Sequence, residues 1–309
     1  MTCSQTKQPD NPRGFAERVA ASDDPSDSPD KVHIYVLETD EPHPETQDRK
    51  GFFGDIIHDL FVEAGARHDP RLDVTTSTHY IVDDPANDNH GKVPKAADIP
   101  ETVRAVLITG SMYDAHGDDP WIKDTLALLR ELWTTRPKML FSGVCFGHQI
   151  LSRMLGATVE NHPHGKWELS HTEMDLSPVG RRLFQRSESD EGKLYLHQMH
   201  QDQVTSVPSS STTDLLSPET KVHVWASTPH TGIQGLYIRD RLFSSQGHLE
   251  LDEDMVHRQI EMRQESSGID DGDGDVAAEA KERAHLKHDG LVVAGAILRF
   301  FHGDDHDVD

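Results

Sequence analysis

The sequence predicts an α/β fold: a mostly parallel central sheet with helices on both faces, and additional short antiparallel strands. Three observations lead to this prediction. Apolar runs typical of buried strands alternate with segments of helical periodicity in the first half of the chain. Such alternation is typical of parallel sheets whose two faces are both covered by helices. After Gly156 the chain changes to a series of shorter apolar runs, which predicts the antiparallel strands.

The first half of the chain supplies four predicted strands and three predicted helices. The first strand, 32–37, is a short apolar run that ends at Glu38-Thr39-Asp40. Apolar residues recur at helical spacing in the first helix and Gly65 provides its stop, while Pro120 lies in the first turn of the second helix. The other predicted elements are strands at 72–82, 103–109 and 138–141 and helices at 51–64, 120–133 and 148–155.

The second half is predicted to contain short strands followed by helices. The last two strands flank Arg239-Asp240, which predicts a tight hairpin. Together with the first half, these elements form a single predicted domain over 31–302. The predicted elements are strands at 194–199, 222–226, 233–238 and 242–245 and helices at 252–263 and 283–301.

Acidic and polar segments flank or interrupt this domain. We expect a disordered tail over 1–30, a solvated acidic insertion over 264–282 and an acidic tail over 303–309. Much of the net charge of −24, which arises from 54 acidic and 30 basic residues, lies in these segments and in the loop 83–98. The charge therefore indicates solvated additions to a domain of ordinary composition.

The composition also excludes several classes of protein. A strongly acidic chain repels both a phosphate backbone and an anionic lipid surface, so neither nucleic acid nor a membrane is an expected partner. Cys3 and Cys145 cannot form a disulfide framework, and the chain has neither an apolar leader nor an apolar stretch of about 18 residues. We expect a soluble protein of the cytoplasm, with a nuclear location also open.

One segment, 139–149, has the pattern of a nucleophile elbow. It consists of a strand, a glycine, a cysteine, a second glycine and a helix, with Gly143 and Gly147 on either side of Cys145. Small neighbours let the backbone turn sharply, and the following helix N-terminus favours a thiolate. At average glycine usage, two flanking glycines are about a one-in-two-hundred coincidence. The pattern therefore favours a catalytic Cys145 over a buried structural cysteine, with the Phe146 amide facing an oxyanion.

A cysteine nucleophile needs a base and a group that orients the base. His-x-Glu pairs place both side chains on one face of an extended segment, and the sequence has three, at 43–45, 171–173 and 248–250. Only the third directly follows a predicted strand, 242–245, and strand ends at one sheet edge are where α/β sites assemble. We therefore predict His248 as the base and Glu250 as its orienting carboxylate.

The segments Gly143–Gln149 and Gln246–Glu250 together resemble the class I, or triad, glutamine amidotransferases. The resemblance is to the stand-alone, GMP-synthase-like subgroup, and it covers roughly 32–263. Two further segments, 165–168 and 197–204, are similar to family segments that flank the pocket. The sequence departs from the family pattern at Leu249, where the family has proline.

The resemblance implies roles for individual residues. It implies a triad of Cys145, His248 and Glu250, and an oxyanion hole formed by the amides of Gly110 and Phe146. It further implies that Gln149 and His200 lie at the bound substrate. It implies no cofactor and no metal ion.

The implied activity is hydrolysis of the glutamine side-chain amide through a γ-glutamyl thioester. Two alternatives stay open. One is a γ-glutamyl peptidase that acts on glutathione or its conjugates. The other is an ammonia-delivering or regulatory subunit that is silent without a synthase partner, because the chain has no phosphate-binding loop with which to drive a synthesis itself.

Overall fold

The computed structural model describes residues 16–18, 30–186, 192–266, 269, 274–306 and 308. The strands are β1 (Ala16–Arg18), β2 (Lys31–Glu38), β3 (Asp73–Tyr80), β4 (Asp83–Asp84), β5 (Asn89–His90), β6 (Ala105–Ile108), β7 (Leu140–Val144), β8 (Val159–Asn161), β9 (Glu168–Leu176), β10 (Lys193–His200), β11 (Asp202–Val204), β12 (His223–Ser227), β13 (Gly235–Ile238) and β14 (Leu242–Ser245). The α-helices are α1 (Pro44–Lys50), α2 (Phe53–Ala66), α3 (Pro120–Thr135), α4 (Phe146–Met154), α5 (Pro178–Leu183), α6 (Glu253–Glu265), α7 (Gly274–Arg283) and α8 (Gly290–His302).

Ten strands form one mixed sheet in the order β1–β3–β2–β6–β7–β14–β13–β12–β9–β10. The neighbours from β3 to β14 run parallel, and the remaining pairs are antiparallel. Two short antiparallel pairs, β8 with β11 and β4 with β5, stand apart from it. The predicted fold class, α/β with a parallel centre and added antiparallel strands, is confirmed.

The parallel strands are apolar because they are covered on both sides. In β2, Ile34 and Val36 pack into a cluster with Phe61 and Ile297 from α2 and α8. Tyr35 and Leu37 face the other way and pack into a second cluster with residues of α3 and α4. Alternate side chains of a strand point to opposite faces, so each buried residue serves one cluster, at about 1.5–3 kcal/mol per large side chain.

The antiparallel strands curve, so that the edge strand β10 contacts the segment that follows β14 near the middle of the sheet. The last strand in the order, β10, forms a bridge between His197 and His248, and His248 lies just beyond the end of β14. The His248 amide donates to the His197 carbonyl oxygen at 2.8 Å. Position 248 is therefore fixed from two sides, by the strand that precedes it and by the strand that closes the curl.

Two of the predicted solvated segments are ordered at the residues that the structure describes. Within 1–30, residues 16–18 form β1 and pair with the edge strand β3, so a disordered tail is wrong there; 1–15 and 19–29 lie outside the described residues. Within 264–282, α7 buries Ala277 and Ala280 in a third apolar cluster. Alanines three residues apart share one helix face, and small side chains let that face approach the sheet closely. Residues 267–268 and 270–273 are not described.

The segment 303–309 is predicted to be a solvated acidic tail, and this is wrong at Asp305 and Val308, which are buried; 307 and 309 lie outside the described residues. Val308 packs in the cluster beneath β12–β14, and Arg182 donates to its carbonyl oxygen at 2.8 Å. The Tyr237 hydroxyl donates to Asp305 at 2.6 Å. Composition alone does not reveal these contacts. The helix predicted over 283–301 begins later, as α8 at Gly290, because the chain turns between the end of α7 at Arg283 and that residue.

No helix among the described ranges combines the length and the apolar composition needed to cross a membrane.

Candidate active site

The turn between β7 and α4 forces Cys145 into a backbone conformation that few side-chain-bearing residues adopt. Its φ is 51° and its ψ is −105°, outside the usual regions for a residue with a Cβ. The flanking glycines make this turn possible. A Cβ on Gly143 would lie 2.3 Å from the Gly147 carbonyl carbon, and a Cβ on Gly147 would lie 2.2 Å from the Ile108 carbonyl oxygen. The strand–turn–helix expected around Cys145 is therefore present, with no room for larger neighbours.

His248 and Glu250 lie beside this turn, at the same edge of the sheet. Strand β14 runs parallel to β7, and the Cys145 amide donates to the Ser245 carbonyl oxygen at 2.9 Å. His248 follows three residues later, and its Nδ1 donates to Glu250 Oε1 at 2.7 Å. The structure therefore brings the three predicted triad residues together at the carboxyl ends of two adjacent parallel strands.

The position of Gly110 shows how closely Cys145 and His248 approach each other. A Cβ placed on Gly110 would lie 2.8 Å from His248 Cε1 and 3.5 Å from Cys145 Cβ. The side chains of Cys145 and His248 therefore converge at the position that a side chain on Gly110 would occupy. His248 Nε2 is buried and has no hydrogen-bond partner at normal distances within the described part of the chain.

The electrostatics of the site favour a protonated His248. Burial alone would lower its pKa, but the Glu250 carboxylate and the Cys145 sulfur outweigh burial and raise the pKa to about 10. Burial likewise opposes the charged form of Glu250, yet His248 and the backbone amides of 249 and 250 lower the pKa of that carboxyl. The buried pair can therefore hold a proton that a nucleophile releases.

Gly110 and Phe146, whose amides are predicted to form the oxyanion hole, both lie next to Cys145. Gly110 follows β6, and its carbonyl oxygen accepts a hydrogen bond from Thr39 Oγ1 at 2.9 Å. The Thr109 carbonyl oxygen accepts from the Gly147 amide at 3.2 Å, which ties this loop to the elbow. Phe146 is the first residue of α4, where helix amides have no acceptor within the helix. Among the described residues, neither the Gly110 amide nor the Phe146 amide donates to an oxygen.

The other two His-x-Glu pairs lie elsewhere. His43 caps α1, where its Nδ1 accepts from the Glu45 amide at 3.2 Å, and Glu45 pairs with Arg258. The second pair is on β9, where His171 contacts the Lys287 carbonyl oxygen and Glu173 pairs with Lys193. Neither pair has a contact with Cys145 among the described residues. The pair at 248–250 therefore differs from the other two in its position after β14, the strand beside the one that leads to Cys145.

Comparison with known proteins identifies the family. The family model for class-I glutamine amidotransferases matches residues 84–260, more than half of the chain. The chain belongs to the class I glutamine amidotransferase family. A glutamine amidotransferase-like protein of Schizosaccharomyces pombe is 27% identical over 230 residues, which cover 74% of this chain and 84% of the relative. Gamma-glutamyl peptidase 5 of Arabidopsis thaliana is 33% identical over 147 residues, 47% of this chain and 57% of that protein.

Solved structures of the family share the fold. A glutamine amidotransferase from Thermotoga maritima superposes with a TM-score of 0.57 at 17% identity, covering 88% of this chain and 98% of the other. A glutamine amidotransferase from Methylobacillus flagellatus superposes with a TM-score of 0.56 at 17% identity, covering 90% and 96%. At this identity the likeness concerns the fold, and the roles of individual side chains rest on the geometry of this chain.

The remaining predicted substrate residues, Gln149 and His200, meet at one turn. Gln149 Nε2 donates to the Asp202 carbonyl oxygen at 2.9 Å and to Gln246 Oε1 at 3.1 Å. His200 contacts the same Asp202 oxygen through Nδ1 at 2.9 Å, and Glu168 Oε2 through Nε2 at 2.9 Å. Both ring nitrogens of His200 therefore lie against oxygen atoms. The turn is held rigidly, and Gln149 Oε1 has no donor within the described residues.

Glu168 is a buried carboxylate that fixes this turn. It accepts from Thr228 Oγ1 at 2.6 Å and from Gln234 Nε2 at 2.7 Å, besides His200. Burial opposes its charge, but these hydrogen bonds and the nearby His200 ring lower its pKa. The sequence placed Glu168 in a segment that flanks the pocket without assigning it a role, since its three partners come from distant parts of the chain.

A small cleft opens beside His248 and Gly110. Its far wall includes Asp40, just beyond β2, and Arg263 from α6. Burial raises the pKa of Asp40 to about 7, against the opposing effects of the Met112 amide and Arg263. Neither residue is among the predicted site residues. Asp40 could have been found from its place after a parallel strand, whereas Arg263 arrives only because α6 folds back over the sheet edge. No cluster of three or more His, Cys, Asp or Glu side chains suited to a metal ion occurs in the described ranges.

Proposed function

We propose that this protein hydrolyses the side-chain amide of glutamine, and of γ-glutamyl amides more widely, through a γ-glutamyl thioester on Cys145. The observation that carries the proposal is the convergence of Cys145, on its strained turn, with the buried His248–Glu250 pair. Family membership supports the same chemistry.

The first step joins the sulfur to the substrate. The Cys145 sulfur attacks the amide carbonyl carbon, its proton resides on His248, and Glu250 stabilises the imidazolium. The carbonyl oxygen becomes an oxyanion that accepts hydrogen bonds from the amides of Gly110 and Phe146. Loss of one such donor typically costs about 3 kcal/mol of transition-state stabilisation. Cys145 is 5% exposed, so these charges meet in a site with little water.

The next two steps release the products. The tetrahedral intermediate collapses, the C–N bond breaks, and the proton on His248 passes to the leaving nitrogen, so that glutamine yields ammonia. A water molecule then attacks the thioester carbonyl and gives one proton to His248. The C–S bond breaks, glutamate leaves and the proton returns to the sulfur. Gln149 Oε1 is available to accept an N–H of the substrate ammonium group.

The direct test uses an electrophilic glutamine analogue. Diazo-oxo-norleucine should alkylate Cys145 in the purified chain, as located by peptide mass spectrometry, and an excess of glutamine should prevent the labelling. Cys145→Ala should abolish hydrolysis of glutamine and of γ-glutamyl peptides. Cys3→Ala is the matched control and should keep wild-type activity. Unchanged hydrolysis in Cys145→Ala would overturn the proposal.

A second candidate is a γ-glutamyl peptidase, which uses the same steps with an amino acid or peptide as the leaving amine. The similarity to a gamma-glutamyl peptidase of Arabidopsis thaliana supports this candidate. Product analysis separates the two. Glutamine gives ammonia, whereas glutathione gives cysteinylglycine.

The ammonia-delivering subunit stays a prediction with a distinct outcome. Such a subunit would hydrolyse nothing as the purified chain and would gain glutaminase activity on addition of a captured synthase. Activity of the purified chain alone would exclude that alternative.

A further inference from the structure

A row of histidines crosses the sheet to His248. His171 on β9 lies opposite His197 on β10, and His197 lies opposite His248 in the bridge beyond β14. Residues directly opposite one another on antiparallel strands share one face, with Cβ atoms about 4.5–5.5 Å apart. The ring centres of His171 and His197 are 6.1 Å apart. Three histidines from neighbouring segments therefore stand side by side, with the proposed base His248 at the inner end.

A fourth histidine, His288, packs against the middle of this row. It lies in the linker between α7 and α8, and its ring centre is 4.7 Å from that of His197. The linker is fixed to β10, because the Asp289 amide donates to the Tyr195 carbonyl oxygen at 2.7 Å and the Tyr195 amide donates to Asp289 Oδ2 at 2.9 Å. His288 is half-buried, whereas His197 is only 1% exposed. The histidine row consists of 171, 197, 248 and 288.

The interior of the histidine row can hold only one positive charge. His248 carries it, because the Glu250 carboxylate and the Cys145 sulfur raise the pKa of that ring. Burial and the neighbouring rings lower the pKa of His197 to about 3, and burial also lowers the pKa of His288. His197 Nδ1 is buried and has no hydrogen-bond partner in the described part of the chain. A second proton would therefore meet a like charge in a place with little water.

The carboxylates around the row do not remove this constraint. Asp252 favours a proton on His197, and Glu250, Asp252 and Asp289 favour one on His288, yet burial outweighs them. At the outer end, His171 contacts two uncharged groups, the Tyr195 ring at 5.0 Å between centres and the Lys287 carbonyl oxygen at 3.1 Å. Each of the three carboxylates already has a cationic partner. These pairs are Glu250–His248, Asp252–Lys50 and Asp289–Arg186.

Opening the bridge between β10 and residue 248 relieves the constraint. Once the segment 246–250 leaves β10, His197 and His288 become hydrated and each can bind a proton near the ordinary histidine pKa of about 6.5. His248 is protonated in both arrangements at this pH, so it adds no difference. The open arrangement therefore binds more protons below about pH 6.5, and a falling pH shifts the equilibrium toward it.

We propose that the histidine row is an acid-sensitive switch of the active site, in which protons on His197 and His288 break the bridge from β10 to residue 248. The base then moves away from Cys145 while the central sheet stays folded. Because opening takes up more than one proton, the switch acts over a narrow range of pH. The proposed function enters this inference only as one of its two readouts.

The first test measures glutamine hydrolysis between pH 8 and 5. A single titrating group lowers a rate by at most about tenfold per pH unit, whereas uptake of two protons allows about 100-fold. Wild-type kcat/KM should therefore fall by about 30- to 100-fold between pH 6 and 5 and recover at pH 8, while far-UV circular dichroism shows the sheet intact. In His288→Gln the fall should be about tenfold or less, with activity at pH 8 within about twofold of the wild type.

His58→Gln is the matched control. His58 is also half-buried, but it lies on α2 with its Nδ1 3.0 Å from Thr76 Oγ1, away from the row. This variant should keep the steep wild-type fall. An equal fall in the wild type and in His288→Gln would overturn the switch, as would loss of circular dichroism together with activity, since the fold would then be unfolding as a whole.

Hydrogen exchange tests the switch without any assay of activity. The His248 amide donates to the His197 carbonyl oxygen, so its exchange reports the bridge directly. Protection of a peptide that contains 246–250, corrected for the intrinsic rate, should fall by about tenfold or more from pH 8 to 5 in the wild type and by less in His288→Gln. Protection that does not change with pH would overturn the switch. If the wild type hydrolyses no γ-glutamyl amide at pH 8, the proposed function fails, and this measurement still decides the switch.

Discussion

The elbow at Cys145 and the wall formed by α6 meet at His248, but different interactions hold them in place. The elbow is fixed by backbone geometry, since Gly143 and Gly147 touch main-chain atoms of neighbouring elements. Helix α6 packs its buried face, including Val256 and Ile260, into an apolar cluster, and its exposed side pairs with α1 through Arg49–Asp254 at 2.6 Å. Exposed pairs contribute little to stability, whereas a Cβ has no space at the elbow. The elbow is therefore specified by main-chain contacts, and α6 by side-chain contacts.

The largest effect is expected from Gly147→Ala, which disrupts the elbow. The new methyl group would lie 2.2 Å from the Ile108 carbonyl oxygen, so either α4 or β6 must move. We expect a loss of activity of about 1,000-fold or more, because the Phe146 amide moves with the helix, and a loss of about 1–3 kcal/mol in the free energy of unfolding. Steady-state kinetics and urea denaturation measure the two effects.

Gly295→Ala is the matched control for this change. Gly295 lies within α8, and a Cβ there would meet no atom within 4 Å. Alanine in a helix is more stable than glycine by about 0.5–1 kcal/mol, so this variant should be slightly stabilised and fully active. An active Gly147→Ala variant would contradict the description of the elbow as rigidly specified.

The next effect tests the orienting carboxylate. Glu250→Gln keeps the shape of the side chain but removes the charge that holds His248 protonated, so kcat should fall by about 100-fold or more. Glu173→Gln makes the same change in another His-x-Glu pair, on the surface of β9, and should stay within about twofold of the wild type. Equal activities of the two variants would remove Glu250 from the mechanism.

The same pair gives stability a dependence on pH with a definite sign. The folded pKa of His248, about 10, lies above its ordinary value of 6.5, so the folded state binds the proton more tightly than the unfolded chain does. The stabilisation is complete below pH 6.5 and disappears as the pH rises through 10. The stability difference between the wild type and His248→Gln should therefore shrink as the pH rises from 7 to 10. A difference that grew with pH in urea denaturation would contradict the raised pKa.

The smallest effect is expected at the surface contact between α1 and α6. Arg49→Gln removes the exposed ion pair with Asp254, in which both side chains are more than half exposed. We expect a loss of less than about 1 kcal/mol in the free energy of unfolding, which salt should diminish, and no change in kcat for glutamine. A large loss of stability would show that α6 is fixed as firmly as the elbow.

The same contrast explains what could be predicted from the sequence. The turn at Cys145 is determined by neighbours within a few residues, and the position of His248 follows from the strand before it, so both could be placed from local patterns. Arg263 enters the cleft through the packing of a whole helix, and Val308 docks against residues as distant in sequence as Arg182. Neither leaves a periodic signal, because the distance along the chain to the partner is too large for a local pattern to record it.

The packing of α2 against α8 joins two distant parts of the chain. Phe61 of α2 and Phe301 of α8 lie 6.4 Å apart between ring centres, within one buried cluster. Strand β3 follows α2 directly and can cover part of its apolar face early, whereas α8 follows only after most of the sheet. This part of the core therefore closes through a contact of large sequence separation, and such contacts slow folding.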